Sequence, residues 1–181
     1  MSETRPHDTD LPYFPCEMLD REGMNRAEQQ FVSTVEIPVS PEELFAVFED
    51  PDSWPRWAMG IGKVTWTSPK PYGEHTTRTV TFWGGMNVYE DFFIWDAPRE
   101  IAFSFYGTSE RVWDAFAEHY SVTEFRDGGC RLVWTVAYNP SGWFAKMHML
   151  IRPIMTLNFR IYMWRLKRYC KKQQPALTTK K

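Results

Sequence analysis

From residue 31 the chain alternates: Phe31, Ser33, Val35, Ile37 and Val39 fall on one face, and Val32, Thr34 and Glu36 on the other. A period of two marks a half-buried strand. The strand closes at Pro38, and the next signals start a helix. Ser40 stands at an N-cap position, Pro41 at the first helical position, and Glu43, three residues after the serine, completes a capping box. This predicts a short helix over 41–48 that buries Leu44, Phe45, Val47 and Phe48 and stops at Asp50, Pro51 and Asp52. A second short helix or turn is expected over 53–57. From 63 to 138, apolar runs separated by turn residues predict six strands, over 63–68, 75–83, 86–95, 100–106, 112–125 and 130–138. Links this short make sequential strands antiparallel neighbours. With the first strand they make a seven-stranded sheet. After Ser141, Phe144, Met147, Leu150, Ile151, Ile154, Leu157, Ile161 and Trp164 recur at three- and four-residue steps, which predicts a helix over 141–169. It would be about 42 Å long and kinked at Pro153, which lacks a backbone donor. Residues 1–29 are polar, interrupted by Pro6, Pro12 and Pro15, and read as a flexible tail with a loose helix over 19–30. Residues 30–172 read as one domain and 173–181 as a basic C-terminal tail.

Turn length decides which side chains share a face of the sheet. If 127–129 form a three-residue turn, Tyr120 opposes Val136, Val122 opposes Trp134 and Glu118 opposes Tyr138. Across Ala97 and Pro98, Glu90, Phe92 and Ile94 lie beside Phe105, Phe103 and Ile101. A three-residue turn over 83–85 sets Arg78 opposite Glu90, with Val80 and Phe82 facing Val88 and Met86. The inward face is then aromatic, with one Arg/Glu pair. Each of those charges costs several kcal/mol to desolvate alone, so they pair with one another or with a ligand's polar end. Two readings stay open: the pair orients a carbonyl, enol or carboxylate, or it is a structural cross-strand salt bridge. Asp114 and Glu118 also reach inward unless a bulge in the longest strand turns them out, and they are left outside the candidate set. That set comprises Arg78, Val80, Val88, Glu90, Phe92, Phe103, Tyr120, Trp134, Val136 and Tyr138 from the sheet, and Met147, Ile151 and Ile154 from the helix. Glu90, Arg78 and Tyr138 are its candidate catalytic groups.

Composition fits a packed, ring-rich domain: 43% of the 181 residues are apolar and 17% aromatic, which excludes a disordered chain. Net charge is −2, yet no Asp or Glu follows Asp127, and residues 141–181 carry ten Lys and Arg. A basic helix lying against an acidic body accounts for this, and so does a face for an anionic membrane surface centred on residues 160–172. Nucleic acid is not expected as a partner, because no zinc-finger, RNP or helix-turn-helix pattern accompanies the charge. Cys16, Cys130 and Cys170 show no paired spacing, the polar first ten residues lead to the expectation of no signal peptide, and no apolar run reaches 18 residues. The expected location is cytoplasmic. His7, His75, His119 and His148 lack ligand spacing, so no metal is expected. His119 is turned outward by the strand parity, there is no nucleophile elbow, and Gly60-Ile61-Gly62 precedes a strand rather than a helix. No cofactor is expected, and the chain reads as a monomer or homodimer.

The motif order is the strongest single signal. Ser40-Pro41-Glu42-Glu43-Leu44-Phe45, then Asp50-Pro51 and Trp54-Pro55-Arg56-Trp57, then Asp96-Ala97-Pro98-Arg99 between strands, Asp127-Gly128-Gly129 leading into Arg131-Leu132-Val133-Trp134-Thr135, and Leu166-Lys167-Arg168 near the end succeed one another. This order resembles the START-like, or SRPBCC, superfamily, within it the polyketide cyclase/dehydrase branch, over residues 31–171. The resemblance implies an α+β helix-grip fold, with a curved antiparallel sheet wrapped around a long C-terminal helix and two short helices after the first strand. It also implies a cavity for hydrophobic molecules between sheet and helix, with Trp54 and Trp57 near one mouth. Its members range from lipid carriers to enzymes, so three functions follow: binding of a lipid, isoprenoid or polyketide; a polyketide cyclase or dehydratase acting in the same cavity; and lipid handling at a membrane surface. Met147, Met149, Met155 and Met163 suit either an adaptable pocket or an ordinary core.

Overall fold

The computed structural model describes residues 6–178. In chain order the elements are β1 (Phe14–Pro15), α1 (Arg21–Arg26), β2 (Gln29–Ile37), α2 (Pro41–Glu49), α3 (Trp54–Trp57), β3 (Ile61–Trp66), β4 (Thr77–Phe82), β5 (Asn87–Asp96), β6 (Glu100–Thr108), β7 (Trp113–Glu124), β8 (Cys130–Pro140) and α4 (Gly142–Thr178). Seven strands form one antiparallel sheet in the order β2-β8-β7-β6-β5-β4-β3. The long helix α4 lies against the inner face, and this is the helix-grip arrangement. The capping box at the start of α2 is complete: the Glu43 amide donates to Ser40 Oγ, and the Ser40 amide to Glu43 Oε2 at 2.9 Å. Ser53 and Trp54 then turn back onto α2, donating to the Val47 and Phe48 carbonyls.

Three registers explain which side chains face inward. Arg78 pairs with Glu90 and Val80 with Val88, as the turn arithmetic predicts. Glu90 lies opposite Phe105 and Phe92 opposite Phe103, again as predicted, but a bulge at Phe93 sets Ile94 against Ala102 rather than Ile101. Between β7 and β8 the register differs by two residues: Tyr120 meets Trp134, Val122 meets Leu132 and Glu118 meets Val136. The loop there is longer than three residues, because Glu124 and Cys130 already pair and residues 126–128 make a single 3-10 turn with Asp127 at φ 57°. A slip of two leaves every side chain on its expected face. Helix α4 runs without interruption through Pro153 and extends beyond the expected end at 169. Residues 1–5 and 179–181, parts of the two expected tails, lie outside the described residues.

The N-terminal segment differs most from its expectation as a tail. β6 and β7 stop pairing at Ser104 and Ala117, and β1 enters the gap, with Pro15 opposite Gly107 and the Glu17 amide donating to the Asp114 carbonyl. Leu19 and Met24 then bury against Ala115, Ala117 and Ala137 on the outer face. Ala115 and Ala117, two apart on β7, and Ala137 opposite Ala117 on β8 keep this face small, and that is the signal in the sequence. Gly107 permits the close approach: a Cβ at this position would stand 2.3 Å from the Tyr13 ring. We expect Gly107→Ala to cost about 1–3 kcal/mol by overpacking. Amide exchange should quicken over residues 14–26 and stay unchanged in β7 and β8. Unaltered protection of 14–26 would contradict this seating.

Candidate functional site

A cavity of about 200 Å³ lies between the inner face of the sheet and α4. Its walls come from six strands and two helices, and they are apolar: Trp57, Ile61, Phe82, Phe105, Phe116, Trp134, Phe159 and Tyr162 are among them. Only three lining residues carry polar side chains without a ring, namely Glu90, Glu118 and Asn158. The aromatic side chains form a connected stack, with Phe105 and Phe116 at 4.3 Å and nearly parallel, and Tyr120 and Trp134 at 5.9 Å.

Glu118 is placed by strand parity, two residues from Tyr120 on the same face of β7. Its Oε2 accepts hydrogen bonds from the Tyr120 hydroxyl and from Trp134 Nε1, the latter at 2.9 Å. Among the described residues no group bonds to its Oε1. Burial pushes its carboxyl up to about 7; the Tyr120 and Trp134 bonds and Arg78 pull it back, while Glu90 adds repulsion. Tyr120 is in turn held well above the ordinary phenol value by burial and by the Glu118 carboxylate. The site therefore holds an acid that gains and loses a proton near neutrality, in contact with a hydroxyl that stays protonated.

Glu90 is bound differently. Arg78 Nε donates to Glu90 Oε2, and both side chains are almost fully buried, at 1% and 5% exposure. The guanidinium lies over the Trp54 ring at 4.1 Å and the Phe103 ring at 4.8 Å, so the aromatic quadrupoles supplement the single ion pair. Arg78 Nη1 is buried and, among the described residues, has no hydrogen-bond partner. Burial raises the Glu90 carboxyl against the lowering pull of Arg78. Glu90 borders the cavity and Arg78 stands behind it.

The sequence-derived candidates divide accordingly. Val80, Glu90, Tyr120 and Trp134 line the cavity. Arg78, Val88, Phe92, Phe103 and Val136 are buried in the surrounding core but are not part of the lining, and Ile151 packs against that core. Three expectations are corrected. Tyr138 lies outside the lining, with its hydroxyl hydrogen-bonded to His148 Nε2 at 2.9 Å. Met147 and Ile154 sit on the solvent side of α4, 44% and 61% exposed. The cause is that α4 carries apolar residues on two faces, and the inward one is Met155, Phe159 and Tyr162, four and three residues apart, with Asn158 beside them. Trp54 is core, donating to the Phe48 carbonyl, while Trp57 forms cavity wall. His119 faces away from the cavity and bonds Glu100 at 2.8 Å. Glu118 is the acidic lining residue that sequence reasoning left out, along with apolar walls such as Phe105, Phe116, Met155, Phe159 and Tyr162. The bulge invoked against it does occur, at Asp114, but it lies at the start of β7 and leaves Glu118 inward. Among the described residues no cluster of His, Cys, Asp or Glu could hold a metal ion, and no helix is long and apolar enough to cross a membrane.

Comparison with known proteins agrees with this architecture. The aromatase/cyclase Zhui from Streptomyces sp. R1128 superposes with a TM-score of 0.66 at 10% identity, covering 80% of this chain and 94% of its own. A conserved protein from Geobacillus kaustophilus gives 0.66 at 11% identity, covering 80% and 97%. Both share the fold. An uncharacterised protein of Mycobacterium tuberculosis is 42% identical over 156 residues, or 86% of this chain and 93% of that one. Residues 28–171 match the family model described as polyketide cyclase / dehydrase and lipid transport, and the chain belongs to that family.

Proposed function

We propose that the protein binds a compact hydrophobic small molecule in the cavity under α4, with the molecule's one polar group at Glu118. The observation that carries this reading is a half-buried carboxyl with one oxygen held by Tyr120 and Trp134 and the other, among the described residues, without a partner, in a mostly apolar hollow. A pocket with apolar walls and few convergent polar groups is the usual form of a small-molecule site. Volume sets the guest's size. An apolar cavity of about 150 Å³ takes up benzene, so about 200 Å³ suits a small ring system rather than a full-length acyl chain.

A flat hydroxy-aromatic such as 2-naphthol is the probe of choice, read by tryptophan quenching, since Trp57, Trp113 and Trp134 all line the hollow. Saturable quenching is expected, and Met155→Trp should abolish it by filling the space. Probe binding undiminished in Met155→Trp would place the ligand elsewhere. Native mass spectrometry of the protein from its own host would then name the natural guest class.

One observation favours chemistry at the same site: a carboxyl near 7 beside a protonated phenol has the proton affinity that general acid–base catalysis needs at neutral pH. In a cyclisation and dehydration of a poly-ketone, Glu118 would remove and return protons, an effect of about 10²–10⁴-fold in rate. Glu118→Gln separates the readings. A binder keeps its neutral guest within a few-fold, whereas an enzyme keeps the guest and loses turnover.

A further inference from the structure

Helix α4 has a second apolar face that the cavity does not use. Trp143, Met147, Leu150, Ile154, Leu157 and Trp164 recur in alternating steps of four and three, apart from one seven-residue gap that the half-buried Ile161 fills, and all six are exposed. At 1.5 Å per residue the stripe is about 32 Å long. A contiguous apolar strip of this length is more than scattered surface hydrophobics, and it calls for a partner.

The charges beside the stripe identify that partner. Lys146 and Arg160 each stand one residue before a position on this line, Met147 and Ile161, and Arg168 and Lys172 extend it beyond Trp164. α4 contains no acidic residue, and among the described residues none of its cations is ion-paired to the acidic body. At this end a groove of about 330 Å³ is lined by Arg56, Arg165, Arg168, Lys172, Trp164 and Tyr169. Arg165 is committed there, donating to the Trp57 and Arg56 carbonyls, and Arg168 stacks on Trp164 at 4.6 Å. Two copies joined stripe to stripe would bring like charges together with no carboxylate to pair them. A bilayer rich in anionic lipid meets both features, with acyl chains for the stripe and phosphate groups for the cations.

We propose that α4 lies flat in the interface of an anionic membrane, its Trp143–Trp164 stripe inserted and the Arg56, Arg168 and Lys172 groove on lipid phosphates, while its opposite face roofs the cavity. This places the apolar–basic face as the docking element, rather than residues 160–172 alone. None of these stripe and groove residues lines the cavity, so the docking and ligand readings fail independently.

The test is co-flotation of the full chain with vesicles of phosphatidylcholine alone and of equimolar phosphatidylcholine and phosphatidylglycerol. Binding to the anionic vesicles only is expected, and it should fade as salt shortens the screening length from about 10 Å at 0.1 M to about 3 Å at 1 M. Arg168→Ala and Lys172→Ala should each weaken it about five-fold, the factor matching about 1 kcal/mol per basic residue near such a surface. Leu150→Ser with Leu157→Ser should weaken it ten-fold or more while leaving the thermal midpoint and 2-naphthol quenching unchanged, because both side chains are exposed. Equal binding to both vesicle types, or variants that bind like the wild type, would overturn the proposal. So would absence of vesicle binding together with a dimer that Leu150→Ser and Leu157→Ser dissociate, since a second copy would then be the occupant.

Discussion

Arg78→Met should lower the unfolding free energy by about 3–5 kcal/mol at neutral and alkaline pH, the range seen when one member of a buried ion pair is removed. The cost arises on Glu90. Among the described residues its carboxylate has Arg78 as its one hydrogen-bond donor, and both side chains are shut away from water. Without the guanidinium, Glu90 must stay charged with no partner or take up a proton. The loss should therefore shrink as pH falls, since a neutral acid is far cheaper to bury than a carboxylate. Methionine occupies part of the space between Trp54 and Phe103 but supplies no charge for their ring faces. The double variant Arg78→Met/Glu90→Leu should recover most of the stability, because an all-apolar replacement removes both desolvation costs. Urea denaturation midpoints at pH 5, 7 and 9 decide the matter. A loss under about 1 kcal/mol at pH 9 would mean that the pair is hydrated and that the hollow is wetter than its lining implies.

That pair also shows how much the sequence reveals and where it stops. Arg78 and Glu90 meet because the Gly84–Gly85 turn is short, and short turns fix register by counting. The same parity brings Tyr120 and Trp134 inward even though the β7–β8 loop is longer than supposed, because a slip of two preserves the face. Bulges are the features counting cannot locate. Those at Phe93 and Asp114 shift one partner each, and doubt about the second alone separated Glu118 from the candidates. Helix α4 defeats periodicity for another reason. Met155, Phe159 and Tyr162 face the cavity while Met147, Ile154 and Leu157 face solvent, so a helix apolar on two sides gives no single direction for the core. Only the sheet decides between them. The N-terminal strap is legible in hindsight through Ala115, Ala117 and Ala137, small residues on the face opposite the rings, whose purpose appears once Leu19 and Met24 are seen to cover them.

Glu118 makes the stability of the fold depend on pH in a direction opposite to that of most carboxylates. Its ordinary value is 4.5, and burial raises it to about 7 in the folded protein. Between those values the native state holds a proton that the unfolded chain has released, so each rise in pH disfavours folding. The contribution is fully present below about 4.5, is lost as pH rises through about 7, and is level above it. At about 1.4 kcal/mol per pH unit the total is roughly 3 kcal/mol. Glu90, also raised by burial, slopes the same way, so the comparison that isolates Glu118 is wild type against Glu118→Gln. Glutamine is nearly isosteric and can still accept from Tyr120 and Trp134, but it does not titrate. The difference between the two urea curves should therefore grow from just under about 1 kcal/mol at pH 5 to about 3 kcal/mol at pH 8, with the variant more stable. A guest that accepts a hydrogen bond from the protonated acid should follow the same profile, binding most tightly to the wild type below pH 7 and without pH dependence to the variant. Parallel stability curves for the two proteins would show that water already reaches this carboxyl, and a guest's polar group would then have no dry partner to find there.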